Sequence, residues 1–123
     1  TMVMEVEPRP RIPMAWLAIL DGPGGTRGKV ITLSAETIVG RSQGDLLLSA
    51  DKSVSSQHVR IRLETEAGRQ AFVAYDQAST NGTYVGTRET YRDESSRIYR
   101  RELKDGDYLL IGETTLVFKQ LDE

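Results

Sequence analysis

Three short polar clusters along this chain contain residue types that could bind an anion. They are Gly40-Arg41, Ser55-Ser56-Gln57-His58 and Ser79-Thr80-Asn81-Gly82-Thr83. An arginine guanidinium offers five donors in a planar fork that matches phosphate oxygens, and a serine hydroxyl can donate to the same oxygens. Each cluster stands where a run of alternating apolar residues begins or ends, so we expect each on a loop, where binding residues collect on a rigid scaffold. The sequence therefore predicts a phosphate-binding site built from loops.

The first two clusters carry the groups that would contact the phosphate. Gly40 allows the backbone to turn sharply at the end of a strand, Arg41 follows it, and Ser55 supplies a hydroxyl in a later loop. Taken singly these signals are weak, because an arginine after a strand is more often a surface charge and a loop serine usually caps nearby backbone groups. The occurrence of all three clusters in a fixed order is what makes the prediction specific.

His58 ends the second cluster and directly precedes a run of alternating residues at positions 59–63. In that run Arg60 and Arg62 alternate with apolar side chains, which is the period of two expected of a strand with one buried face. His58 shares the parity of the two arginines. The pattern therefore places it off the buried face, and we expect it to brace the loop.

The third cluster is the most distinctive of the three. Asn81-Gly82 specifies a tight turn. The Asn81 amide also carries both a donor and an acceptor, the equipment needed to pair with the backbone of an extended peptide. For the dipeptide alone, a simple hairpin turn is the more economical interpretation.

Short apolar runs broken by turn residues make up most of the chain from Met14 onward. Separators such as Ala67-Gly68 and Asp105-Gly106 supply the positive φ angles that tight turns require. This rhythm predicts an all-β fold, a sandwich of two sheets forming one domain over residues 14–123. Prolines among charged residues predict an extended, flexible tail over residues 1–13. The predicted strands cover residues 15–20, 30–33, 37–39, 46–48, 59–63, 71–75, 108–111 and 114–118.

Residues 88–104 do not fit either period cleanly. The segment is dense in charge, and its apolar residues Tyr91, Ile98, Tyr99 and Leu103 are irregularly spaced. A long hairpin and a helical turn both remain open. We favour a solvated excursion between strands, because charge runs are usually exposed, over a second contact surface for a partner.

The composition excludes several classes of function. The net charge is −2 with both signs mixed along the chain, which argues against a nucleic-acid surface. With no cysteine and one histidine, we expect neither a disulfide framework nor a metal site, and no cofactor is indicated. No apolar run is long enough to cross a bilayer, and the first 13 residues lack a signal-peptide core. We expect a soluble, cytoplasmic monomer without membrane or nucleic-acid partners.

In their order, these motifs resemble those of the forkhead-associated (FHA) domain, an all-β module that binds phosphothreonine peptides. The matching pattern is Gly-Arg, Ser-x-x-His, Ser-x-Asn-Gly and then the Gly-Asp of Gly106-Asp107. The resemblance implies two twisted sheets, a peptide lying across loops at one end, a phosphothreonine-containing protein as partner, and no catalysis. It also implies roles for individual positions. Arg41 and Ser55 would hold the phosphate, and Asn81 would hold the peptide main chain. Thr80 would support the loop that carries Asn81 and touch the peptide, whereas the architectural positions would be Gly40, His58 and Gly82.

This chain departs from the family at one position. Many FHA domains carry arginine or asparagine directly after the motif serine, where this chain has Ser56. The contact made from that position would then be shortened or missing, which predicts a lower affinity. Lys52 is the one spare cation in the preceding loop, and we include both Ser56 and Lys52 among the candidate phosphopeptide-binding residues.

Two other classes of function are possible, an enzyme and a phosphate-independent assembly module. A hydrolase using Ser55 and His58 is not supported, because no Gly-x-Ser-x-Gly elbow surrounds the serine. Residues 22–29 lack the glycine and hydroxyl spacing of a nucleotide-binding loop. The more serious alternative is a phosphate-independent assembly module that uses the same sandwich and binds a partner through a sheet face or through residues 88–104.

Overall fold

The computed structural model describes residues 12–121 and shows two β-sheets packed face to face. One sheet has six strands in the order β2-β1-β11-β10-β7-β8, and the other has five in the order β4-β3-β5-β6-β9. The all-β sandwich prediction is confirmed. Within residues 12–121 no helix has the length and apolar character needed to span a bilayer. The strands are β1 (Ala15–Asp21), β2 (Val30–Thr32), β3 (Glu36–Gly40), β4 (Leu46–Leu47), β5 (Val59–Glu66), β6 (Arg69–Asp76), β7 (Thr83–Gly86), β8 (Arg97–Ile98), β9 (Arg100–Glu102), β10 (Tyr108–Ile111) and β11 (Thr114–Gln120).

The alternating pattern of β5 is realised as predicted. Val59 and Ile61 are fully buried, whereas Arg62 is exposed on the outer face of the sheet. β5 and β6 form a hairpin whose two connecting residues, Ala67 and Gly68, both have positive φ, at 52° and 76°. That is the backbone geometry of the two-residue turns that match strand twist. The sequence therefore fixes both the register and the turn of this hairpin.

The core lies between the two sheets. Phe72 of β6 meets Phe118 of β11 edge to face, with ring centroids 5.9 Å apart, and this contact packs one sheet against the other. Around this pair the inward residues of both sheets exclude water, which supplies most of the stabilising free energy of such a domain. The other fully buried large side chains include Leu17, Ile19, Leu46, Leu48, Ile61, Leu109, Ile111 and Leu116.

The pairing of β1 with β11 defines the two ends of the sandwich. The pair runs from Ala15↔Gln120 at one end to Asp21↔Thr115 at the other. At the second end, the turn between β10 and β11 contacts the β4–β5 connection, because the Glu113 N–H donates to Asp51 at 2.8 Å. The β4–β5 connection carries the second polar cluster. The cluster-bearing loops therefore gather at the end of the sandwich where β1 finishes.

The structure corrects the interpretation of residues 88–104 as a solvated excursion. Ile98 and Leu103 belong to the core cluster, and the Tyr91 ring lies 5.4 Å from the ring of Tyr108. A 3-10 turn (Glu94–Ser96) leads into β8 and β9, which add one strand to each sheet. Most of the charged residues face water, whereas these few apolar side chains point inward. Because charged residues dominate the segment, the sequence pattern did not predict its two short strands.

One further strand was missed by the sequence analysis. β7 lies between β10 and β8 in the six-stranded sheet, and its residues Thr83, Val85 and Gly86 are buried. Three of its four residues, Thr83, Tyr84 and Val85, are of types that are enriched in strands, but a run of three is too short to show a period. The segment is a strand because its neighbours supply the hydrogen bonds, which no local pattern reveals. The predicted tail over residues 1–13 lies outside the described residues, apart from Ile12 and Pro13.

Candidate functional site

The loops that follow β3 and precede β5 are joined by their backbones. The Arg41 N–H donates to the Ser55 carbonyl at 2.9 Å, and the Gln43 N–H donates to the Ser56 carbonyl at 3.1 Å. A side-chain hydrogen bond from Gln57 to Gln43, at 2.8 Å, adds to this row of hydrogen bonds between the two loops, which forms the seam of the site. Arg41 is exposed and Ser55 is half-buried. The first two polar clusters are therefore held side by side, with the guanidinium fork facing solvent.

Gly40 permits this close approach of the two loops. A Cβ atom at this position would lie 2.2 Å from the Ser56 carbonyl oxygen and 2.4 Å from that of Gln43. Both atoms belong to the backbone, so neither can turn aside as a flexible side chain would. The predicted architectural role of Gly40 thus has a specific cause, the absence of a side chain where two loops touch.

The third loop, residues 77–82, connects β6 in one sheet to β7 in the other. Asn81-Gly82 is therefore part of a crossing between sheets and not the turn of a hairpin. The Thr80 N–H donates to the Ser55 hydroxyl oxygen at 3.1 Å, and the Asn81 amide donates to the Ser53 carbonyl at 2.8 Å. All three polar clusters consequently meet in one place. The bond accepted by the Ser55 oxygen leaves its own hydrogen able to donate to a ligand.

His58 is buried, which corrects the prediction that it lies off the buried face. Its Nδ1 accepts a hydrogen bond from the Ser55 N–H at 3.0 Å, and its Nε2 lies 2.8 Å from the Gly82 carbonyl. Because Nδ1 accepts, Nε2 carries the proton and donates, so the ring is the neutral Nε2–H tautomer. Strand parity failed here because His58 precedes the first residue of β5, where the 77–82 loop covers it. The ring does brace the site, as expected, by connecting the second loop to the third.

This arrangement also removes the structural basis for a Ser55–His58 hydrolase. Both ring nitrogens of His58 are engaged with backbone groups, and the Ser55 oxygen accepts from the Thr80 N–H. A general base must be within hydrogen-bond reach of the hydroxyl that it deprotonates. Here the histidine bonds to the serine backbone and not to its hydroxyl.

Two aspartates that the sequence analysis did not single out organise the loops. Asp76, at the end of β6, accepts hydrogen bonds from the Ser79 N–H at 3.1 Å, the Ser79 hydroxyl at 2.5 Å and the Thr83 hydroxyl at 2.7 Å. The Ser79 oxygen in turn accepts from the Gly82 N–H at 3.0 Å. The loop that presents Thr80 is therefore folded around one carboxylate.

Asp51 organises the second loop in the same way. Its carboxylate is buried and accepts from the Ser53 N–H at 3.0 Å, the Glu113 N–H at 2.8 Å and the Thr114 hydroxyl at 2.7 Å. The donors at Glu113 and Thr114 are far from Asp51 in the sequence, so no sequence spacing identifies Asp51 as the residue that binds them. Only the local bond to Ser53, an Asx-type turn, leaves a recognisable signal.

Of the remaining candidates, Ser56 and Lys52 have exposed side chains at this end. Ser56 contributes to the seam through its carbonyl group, which leaves its hydroxyl free to face a ligand. In the described part of the chain, no hydrogen bond or ion pair directs the Lys52 ammonium group toward Arg41. The hydrogen bonds thus bring the loops of Arg41, Ser55, Thr80 and Asn81 together, and within residues 12–121 the Lys52 side chain takes part in none of these bonds.

The two-sheet topology and this loop arrangement define a β-sandwich with a polar loop cluster at one end. The FHA domain family model matches residues 37–112, so the chain belongs to the FHA domain family. The match covers all three loops of the site. FHA domains are interaction modules rather than enzymes.

Solved structures show the same fold. A domain from a structural and functional analysis of phosphothreonine-dependent FHA domain interactions is 25% identical, with a TM-score of 0.70 over 89% of this chain and 99% of that one. The FhaA FHA domain, solved with the intracellular domain of Rv3910, is 26% identical, with a TM-score of 0.66 over 85% and 99%. Mycobacterium tuberculosis EmbR, solved with a low-affinity phosphopeptide, is 26% identical, with a TM-score of 0.65 over 87% of this chain and 24% of EmbR. The search among curated proteins gave no match.

Proposed function

We propose that this domain binds phosphothreonine-containing proteins or peptides, with Arg41 and Ser55 holding the phosphate. The observation that carries the proposal is the hydrogen bond between the Arg41 N–H and the Ser55 carbonyl, at 2.9 Å. This bond keeps an exposed guanidinium and a hydroxyl on adjacent loops. A planar cation beside an alcohol donor is the chemistry that recognises a phosphate ester.

The relatives support this proposal. EmbR was solved with a phosphopeptide, and the first of the three related structures comes from work on phosphothreonine-dependent interactions. The FhaA domain was solved with a protein domain as its partner. The motif residues of the family occur here in loops that meet at one end of the sandwich, as the family's mode of binding requires.

The other site residues take supporting roles in this proposal. Asn81 already donates to Ser53, which fixes its side chain and leaves its amide oxygen to accept from the peptide main chain. Thr80 is exposed and its N–H donates to the Ser55 hydroxyl oxygen, so a peptide bound at Ser55 would pass within reach of its side chain. Ser56 would offer a short hydroxyl to the ligand, and Lys52 would offer a second cation, since both side chains are exposed on the second loop. Because the net charge of the chain is −2, capture of the anion depends on these local donors.

A titration with matched peptides tests the proposal. A short peptide with one phosphothreonine is expected to bind at least about tenfold more tightly than its unphosphorylated form, because each charge-assisted hydrogen bond contributes about 1.5 to 3 kcal/mol. A phosphoserine version lacks one methyl group and is expected to bind a few-fold more weakly, since a buried methyl contributes roughly 0.8 kcal/mol. Calorimetry measures all three affinities. Equal binding of the phosphorylated and unphosphorylated peptides would favour the phosphate-independent assembly module instead.

Binding is also expected to depend on pH through the ligand. The second pKa of a phosphate ester is about 6, so the dianion that the site favours is lost as the pH falls through that value. We expect the affinity at pH 5 to be about tenfold lower than at pH 7. Calorimetric titrations at several pH values measure the profile, and thermal unfolding at the same values checks that the protein stays folded.

A ligand analogue provides the control for this profile. An analogue of the phosphate ester whose second pKa lies below about 6 should lose binding at a lower pH than the natural ester does. A profile that is the same for both ligands would place the titrating group on the protein and contradict recognition of the dianion.

A further inference from the structure

The connection between β8 and β9 crosses from one sheet to the other beside the loop that carries Asn81. β8 pairs with β7 in the six-stranded sheet, and β9 pairs with β6 in the five-stranded sheet. Tyr99 is the single residue between them, and its carbonyl accepts a hydrogen bond from the Asp76 N–H at 2.9 Å. The crossing is thereby fixed against the start of the 77–82 loop.

Two residues at this crossing, Arg97 and Tyr99, have exposed side chains. A Cβ atom at Gly82 would lie 2.9 Å from Nε of Arg97, so the guanidinium lies directly against Gly82 in the 77–82 loop. The same guanidinium carbon is 5.7 Å from the ring centroid of Tyr99, within the range of a cation–π contact. Tyr99 is 71% exposed, more than any other large apolar or aromatic side chain in residues 12–121.

The positive charge of Arg97 is only weakly neutralised. Its nearest carboxylate, that of Glu94, is 4.0 Å away and 79% exposed. The other oxygen of Glu94 accepts a hydrogen bond from the Tyr84 hydroxyl at 3.0 Å, a bond that raises the pKa of that tyrosine. An exposed pair at this distance contributes little, so the guanidinium keeps donors that an incoming anion can use.

We propose that Arg97 and Tyr99 form a second recognition surface, the Arg97–Tyr99 shelf, which binds an acidic side chain of the peptide near the phosphothreonine. The inference rests on the proposed function, because a peptide held by Asn81 runs past Gly82 and hence past Arg97. The tyrosine ring supplies a flat apolar support, and the guanidinium supplies a fork for an aspartate or glutamate carboxylate. Arginine and tyrosine are also among the side chains that are enriched where binding energy concentrates at interfaces.

The test compares phosphothreonine peptides that differ only beside the phosphothreonine. One has glutamates before it, one has glutamates after it, and each has a partner peptide with glutamines instead. One of the two glutamate peptides is expected to bind the wild-type domain about fivefold more tightly than its glutamine partner. In Arg97→Gln this preference is expected to fall to less than about twofold, and in Arg97→Glu to reverse.

The matched control is Arg62→Gln, the same change at an exposed arginine on the outer face of β5. It should keep the full preference, and thermal unfolding should show all three variants to be folded. Equal binding of glutamate and glutamine peptides, or a preference that survives Arg97→Gln, would overturn the shelf while leaving phosphate recognition intact. Binding that ignores the phosphate itself would overturn both proposals.

Discussion

Replacing Arg41 by alanine is expected to weaken phosphopeptide binding by about 100-fold or more and to leave the unfolding midpoint unchanged. Loss of two charge-assisted hydrogen bonds removes roughly 3 to 6 kcal/mol of binding free energy, which accounts for the factor. The fold should not respond, because the Arg41 side chain is exposed and its N–H, which alanine retains, makes the bond to Ser55. Calorimetry and thermal unfolding measure the two effects separately.

Two further variants sharpen this experiment. Arg41→Lys keeps the charge but loses the planar fork, so we expect an intermediate affinity. Arg62→Ala removes an exposed arginine from a sheet face away from the loops and should bind like the wild type. If Arg41→Ala bound the phosphopeptide normally, the phosphate would have to be held elsewhere on the domain.

Gly40→Ala is expected to damage both the fold and the site. The added methyl group would lie 2.2 Å from the Ser56 carbonyl oxygen, which already accepts from the Ser42 and Gln43 N–H groups. Relief of the overlap requires the two loops to separate, at a cost of about 2 to 3 kcal/mol in the free energy of unfolding. Because Arg41 follows directly on one loop and Ser55 lies on the other, peptide binding should be lost as well. Denaturant unfolding and calorimetry measure the two losses.

Gly25→Ala is the matched control for that substitution. A Cβ atom at Gly25 meets nothing within 4 Å, although its φ of 68° makes any side chain mildly unfavourable. We expect it to cost about 1 kcal/mol and to leave binding intact. If Gly40→Ala were as stable as Gly25→Ala and still bound peptide, the seam between the loops would be more compliant than its hydrogen bonds indicate.

The strands that the sequence predicts are those whose own side chains specify them. β5 alternates over its first residues, and Ala67-Gly68 encodes its turn, so local information suffices. β7 and β8 are strands because partners distant in the sequence complete their hydrogen bonds. Tyr91 and Leu103 are anchors in a segment that is otherwise charged, and burial of single apolar residues leaves no period to detect.

The same distinction applies to the candidate site, where residues with a local signal could be predicted and residues held by distant contacts could not. Arg41, Ser55 and Asn81 could be proposed from the sequence because their side-chain chemistry suits a phosphopeptide and their order matches a family. Asp51 could not be proposed, because its donors at residues 113 and 114 are far along the chain. The position of His58 was mispredicted for a related reason: strand parity takes no account of a loop folding over the end of a strand.

The register of β1 with β11 has a practical consequence. Ala15 and Gln120 lie side by side, and the Leu121 N–H donates to the Met14 carbonyl at 2.9 Å, so both ends of the described chain leave from one pole. The loops of the candidate site occupy the opposite pole. A fluorophore or an affinity handle attached to the side chain of residue 14 or residue 120 would thus lie far from these loops, and a domain tethered to a sensor chip through either residue would present the loops outward.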